Sequence, residues 1–191
     1  MFSSGRGTLV MAMTDIQARR VMIDIETLGL EPGAAIVSIG AVEFGPRAIG
    51  ESFYRSVSRE SCEDAGLSVD EGTVDWWQDQ PEEARKAIKG GDDLEHTLQE
   101  FTEWMTGVDE VWANSPAFDC ELLIEAGKRV GVPMAWEYYQ ERDYRTLREL
   151  PVGGDVSQVG TEHHALDDAM TQARYAASAL ADIEDVFGGQ A

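Results

Sequence analysis

Lysine is nearly missing from this 191-residue sequence: Lys86, Lys89 and Lys128 are the only ones among 15 basic residues, set against 36 acidic ones. The net charge of −21 excludes the broad, salt-driven grip on a duplex that a basic groove provides. It does not exclude nucleic acid altogether, because metal ions and a few arginines can hold a polyanion locally. Acid excess with scarce lysine fits a protein adapted to high salt, where screening shortens self-repulsion, and also fits an ordinary acidic soluble protein. Cysteine is scarce too. Cys62 and Cys120 are too few for a disulfide framework or a zinc site of their own, and free thiols are expected. No apolar run is long enough to cross a bilayer. The opening "MFSSGRGTLVMAMTDIQARR" has neither a continuous apolar stretch nor a small-residue cleavage site before its basic pair, so a cytoplasmic location without a membrane partner is expected.

What is present supports one well-buried core, since 43% of the residues are hydrophobic. A single domain over residues 20–191 is expected, preceded by a weakly ordered extension over 1–19 in which Met11 and Met13 are conceivable alternative starts. Three strands in a meander are expected at 21–27, in "AAIVSIGAVEFG" and in "IGESFYRSVS". Ser68 with Glu71 suggests a capping box opening a helix, and Pro81 suggests the start of another. Leu94, Leu98, Phe101 and Met105 fall on one helical face. A short strand "EVWAN", a helix ending at Gly131, a strand or turn before "YRTLREL" and a long final helix complete the reading. Strands first in a meander and then alternating with helices give an α/β fold with a mixed sheet.

The stretch "VMIDIETLGL" sets a physical problem. Its apolar run belongs in a buried strand, yet Asp24 and Glu26, two residues apart, emerge side by side on one face. Two buried like charges are unfavourable unless a cation lies between them or the face opens to water. The triplet alone decides little, because in so acidic a chain Asp-x-Glu arises by chance about once or twice, and it recurs at Asp93/Glu95, Asp119/Glu121 and Asp182/Glu184. Context separates them. Asp119 lies one turn into a helix that follows the strand at 110–114, near that strand's C-terminal end, where open α/β sheets place ligands. In "EHHALDDA", His163 precedes Asp168 by five residues, and a helix starting between them lets both face one cavity. Hard oxygen ligands without cysteine suit Mg²⁺ or Mn²⁺ better than zinc.

This set resembles the motifs of the DEDDh exonucleases, the family of proofreading exonucleases and RNase T: "DIET" at 24–27, Asp119 in "NSPAFD", then His163 and Asp168. The resemblance covers about Val21 to Ser178, and "RDYRTL" with Trp76-Trp77-Gln78 is most similar to the phage-type exonuclease and mycobacterial exoribonuclease branch. It implies a ribonuclease H-like fold and two divalent ions. Asp24, Glu26, Asp119 and Asp168 would hold the ions, and His163 would be the general base. It further implies stepwise 3′→5′ hydrolysis of single-stranded DNA or RNA, releasing nucleoside 5′-monophosphates. Thr27 and Leu28 are expected to meet the terminal nucleotide, Trp77 a base and Arg145 a phosphate. Plain structural roles compete for several of these: core packing for the tryptophans, an ion pair for Arg142 or Arg145. His164 with Asp168 is the competing register for the histidine motif. The resemblance favours a homodimer. A catalytically inactive nucleic-acid-binding module and a phosphodiesterase acting on a small nucleotide remain as other functions, and the choice between DNA and RNA stays open.

Overall fold

The computed structural model describes residues 18–187. The chain forms β1 (Arg20–Thr27), β2 (Ile36–Gly45), β3 (Ala48–Ser56), α1 (Arg59–Asp64), α2 (Glu71–Gln78), α3 (Glu82–Arg85), α4 (Leu94–Trp104), β4 (Glu110–Ala113), α5 (Pro116–Val130), β5 (Glu141–Asp143), α6 (Tyr144–Arg148) and α7 (Ala165–Phe187). The five strands make one mixed sheet in the order β3-β2-β1-β4-β5. β1, β2 and β3 pair antiparallel, while β4 runs parallel to both β1 and β5. The α/β reading with a three-strand meander followed by parallel strands therefore holds.

Alternation along β1 divides its side chains between two cores. Val21, Ile23 and Ile25 join a cluster of large residues from α2, α4 and α5, including Trp77, Leu94, Leu98, Phe101, Leu122 and Leu123. Met22 faces the other way, with Val42, Phe44 and Trp112, and packs beneath the alanines of α7. Asp24 and Glu26 continue the Met22 row, so both carboxylates lie on the α7 side.

Three details differ from the sequence reading. The cap of α2 is Asp70, whose side chain accepts from Thr73 N; Ser68 is instead drawn into an extended bridge with Ala34, with Ala35 N–H donating to its carbonyl. Helix α1, begun by Ser58 as cap, had no sequence signal strong enough to mark it, being six residues long. Arg19, assigned to the N-terminal extension, is tied to the domain: its guanidinium reaches Glu43 and the carbonyls of Trp104 and Thr106. The rest of that expected extension, up to residue 17, lies outside the described residues. Cys62 and Cys120 are buried and unbridged. Among the described residues no helix is long and apolar enough to cross a membrane.

Candidate active site

The site opens where β1 outlasts its neighbour. β4 pairs with β1 only through Ile23↔Ala113, so Asp24 to Thr27 run on with no β4 residue opposite. The chain turns instead at Asn114 into α5, whose first turn carries Asp119. Ile25 N–H, left without a strand partner on that flank, donates to Asp119 Oδ1 at 3.3 Å. A structural need and a carboxylate are met by one residue. From the opposite side α7 brings Asp168 in its first turn, favoured there by the helix dipole.

These elements enclose a hollow of about 510 Å³ lined by Asp24, Glu26, Asp119, Arg145, His163 and Asp168 together with polar neighbours. Ligand atoms of Glu26, His163 and Asp168 lie within 4.8 Å of one another. His163 sits in a left-handed backbone turn, φ 63°, a conformation histidine enters more readily than most non-glycine residues. That turn points its N–H at Asp168 Oδ2, 2.8 Å away. The other oxygen, Oδ1, accepts from Gln158 Nε2 at 2.6 Å.

The electrostatics follow from crowding. Burial first, then Asp119, Glu26 and Asp168, push Asp24 well above the usual carboxylate range, against a hydrogen bond from Gln172 that lowers it. Burial, then Asp168 and Asp119, raise Glu26 to about 8. Asp119 rises to about 7 through burial, opposed by backbone N–H donors and by Arg145. Asp168 is raised by burial and lowered by Gln158 and His163. Four acids with two guanidiniums in the lining, Arg145 and Arg148, form a site short of positive charge. Each carboxylate oxygen has two lone pairs, so even those already accepting one hydrogen bond keep a free one. The oxygen-rich donor set and its deficit of positive charge fit divalent cations of the Mg²⁺ or Mn²⁺ kind.

The two histidines part company. His164 stacks on Tyr54 with ring centroids 4.6 Å apart and lies 3.5 Å from Asp167, lining a different hollow with Ser56 and Lys86. Asp167 accepts from Thr161 N and faces that hollow as well. Beside the acidic centre lies a more apolar slot of about 470 Å³, lined by Ile25, Glu26, Thr27, Leu30, Trp76, Trp77 and Phe118 among others. Thr27 contributes there, although its hydroxyl is spent on Gly29 O. Trp77 is 1% exposed and its Nε1 donates to Thr27 O, while Trp76 is 43% exposed; Trp76 also meets the His163 ring edge to face at 4.9 Å. Leu28 is not brought to the site. Its side chain packs into the large-residue core and lines neither hollow. Arg142 pairs with Glu110 and caps carbonyls of Tyr139 and Glu141, whereas Arg145 lines the cleft.

Sequence reasoning passed over Gln158, Gln172 and Phe118. Gln172 donates Nε2–H to Asp24 Oδ1 at 2.8 Å, and its Oε1 is buried without a partner among the described residues. Its position one helical turn beyond Asp168 was the only available signal.

A model of the 3′-5′ exoribonuclease Rv2179c-like domain matches residues 19–180. An exodeoxyribonuclease of Enterobacteria phage T4 is 27% identical over 121 residues, covering 54% of this chain and 53% of the phage protein, so the chain spans about half the length of that relative. Among solved structures, E. coli exonuclease I in complex with a 5cy-dT13 oligonucleotide superposes with a TM-score of 0.61 at 16% identity, over 89% of this chain and 43% of that one. The nuclease domain of 3′hExo, a DEDDh family member bound to rAMP, gives 0.59 at 18% identity over 88% and 94%. The Mg²⁺- and Mn²⁺-bound form of S. pombe Pop2p gives 0.60 at 12% over 88% and 84%. These likenesses show a shared ribonuclease H-like fold, and the match across residues 19–180 shows the family: the chain belongs to the 3′-5′ exoribonuclease Rv2179c-like domains.

Proposed function

We propose that the protein is a divalent-metal-dependent 3′→5′ exonuclease that shortens single-stranded DNA or RNA from its 3′ end and releases nucleoside 5′-monophosphates. The observation that carries this reading is the convergence of Asp24, Glu26, Asp119 and Asp168 with His163 in one open hollow. Asp24, Glu26, Asp119 and Asp168 would hold two Mg²⁺ or Mn²⁺ ions. When bound, such ions lower the pKa of an attacking water and compensate the charge on the leaving oxygen.

The chain's own residues do the rest. His163 takes the proton of the attacking water on an imidazole nitrogen, the general-base task that imidazole most often performs. The new P–O bond forms as the bond to the 3′-oxygen breaks, and that oxygen leaves as a hydroxyl once protonated. Gln172 fixes the orientation of Asp24 through its hydrogen bond. Arg145, exposed beside the acids, balances a phosphate. The apolar slot with Thr27, Trp76 and Trp77 takes the terminal base, Trp76 offering the accessible ring for stacking.

The test is digestion of 5′-labelled single-stranded DNA and RNA with Mg²⁺ or with chelator. A ladder of shortening labelled products in Mg²⁺ alone is expected; label released at once as a mononucleotide, or cleavage unaffected by chelator, overturns the reading.

A further inference from the structure

The hollows along this face form a row. The apolar slot and the acidic centre share Ile25, Glu26 and Phe118, and the acidic centre shares Tyr144, Arg148, Gln158 and Thr171 with a second groove of about 700 Å³. The slot and that groove share no residue. The acidic centre therefore lies between two different ends, and Arg148 stands at the neck leading to the groove.

Arg148 is unusual for this molecule. In a chain with 36 acids, Arg19, Arg20, Arg47, Arg55, Arg59, Arg129 and Arg142 all contact carboxylates. Arg85, Arg145, Arg148 and Arg174 contact none among the described residues, and of these four Arg145 and Arg148, three residues apart on α6 and hence on one face of it, are the two that line the cleft. Both are exposed. An acidic protein that neutralises most of its arginines has left these two open to a ligand, and the chemistry they suit is phosphate. The groove beyond is walled by Tyr144 and Tyr175, whose rings meet edge to face at 5.7 Å. Asp155 and Asp182 line this groove but not the acidic centre, and one Asp182 oxygen accepts Gly153 N–H. Their charge disfavours a phosphate deep in the groove and leaves the neck as its place. Carboxylates can accept from base amino groups or sugar hydroxyls, and a volume of this size admits a nucleotide.

We infer that the Arg148 neck and the groove behind it form an upstream subsite that holds a polynucleotide on the 5′ side of the bond being cut. The inference rests on the exonuclease reading for its direction. Arg148 takes a backbone phosphate, and the sugar and base that follow lie against Tyr144 and Tyr175. The site therefore favours strands of several nucleotides over a dinucleotide without a 5′-phosphate, which offers Arg148 no backbone phosphate upstream of the one being cut.

The experiment compares wild type with Arg148→Gln and the charge-keeping Arg148→Lys. Cleavage of a dinucleotide without a 5′-phosphate and of a single-stranded decanucleotide is measured, and decanucleotide binding is followed by fluorescence anisotropy across a salt series in an Asp24→Asn background with Mg²⁺. Arg148→Gln is expected to cut kcat/KM about tenfold more on the decanucleotide than on the dinucleotide, mainly through KM. It should also lower the logarithmic salt slope of binding by about 0.7, the contribution of one single-strand phosphate. Arg148→Lys should keep the slope. Equal losses on both lengths with an unchanged slope, or no loss on either, overturn the subsite. A wild type that cuts no strand end but binds the decanucleotide with an Arg148-dependent slope overturns the exonuclease reading and leaves the subsite standing.

Discussion

The two faces of the sheet are built from opposite materials. On one, α2, α4 and α5 bury tryptophan, phenylalanine, leucine and methionine; on the other, α7 presents Ala169, Ala173, Ala176 and Ala177. The large-residue face removes the most apolar surface from water and carries stability. The small-residue face buries less but allows close approach, and Gly40 marks the limit: a Cβ there would lie 2.3 Å from the backbone of Ala165 and Leu166. Gly40 is the β2 partner of Asp24. A close approach of helix and sheet thus lies beside the carboxylates, and what it achieves is placement of Asp168 rather than burial.

If the faces divide labour in this way, changes at the site should remove function and spare the fold. The largest effect is expected for Asp24→Asn, which should leave no measurable turnover in Mg²⁺, with a metal-free melting temperature equal to or above wild type because one of several crowded charges is gone. Near wild-type turnover would refute the assignment of Asp24. Next comes the histidine pair. His163→Ala should lose about 10² to 10⁴ in initial rate, and His164→Ala, stacked on Tyr54 in another hollow, far less; equal losses would mean that the pairing of His163 with Asp168 is the wrong one.

The faces themselves are compared by Gly40→Ala and Phe101→Ala. The first forces α7 outward, and a displacement near 1 Å at reacting groups can cost about 10²-fold in rate, beside an overpacking penalty of about 1–3 kcal/mol. The second opens a cavity worth about 3–5 kcal/mol but should leave turnover close to wild type below its reduced melting point. Thermal denaturation with initial rates at a low common temperature distinguishes them, and the same ratio of rate to stability loss in both would collapse the comparison.

The smallest effect is a pH trend in the metal-free protein. Glu26 near 8 and Asp119 near 7, against ordinary values of 4.5 and 3.8, mean that the folded state binds more protons than the unfolded one between about pH 4 and 8. Stability should therefore fall as pH rises through that window. Melting curves with chelator should show the decline, and saturating Mg²⁺ should flatten it.

Legibility in the sequence followed the range of the causes. Asp24 and Glu26 could be put on one face because a strand alternates strictly, and Asp119 could be put near them because a strand followed directly by a helix leaves little choice. The α2 cap was misread by two residues because Ser68 is claimed by a distant bridge to Ala34, which no local pattern announces. Leu28 and Trp77 were read for what their positions resemble, but their burial is set by packing across the sheet. Gln158 reaches Asp168 from a loop without periodicity, and Arg148 gains its interest only from being unpaired, a property of the assembled surface.

The pairing of Gln172 with Asp24 joins residues 148 positions apart in the chain, and this bears on the order in which the molecule comes together. Contacts so remote in sequence form late, because the intervening chain must be ordered first. During synthesis β1 emerges long before α7, so Asp24 and Glu26 stand without Asp168 and Gln172 until the final helix docks. The acidic cluster opposes that last docking step, and a divalent cation would favour it. A partly made chain lacking the final helix would then carry Asp24, Glu26 and Asp119 but neither Asp168 nor Gln172, three of the four carboxylates and no complete centre.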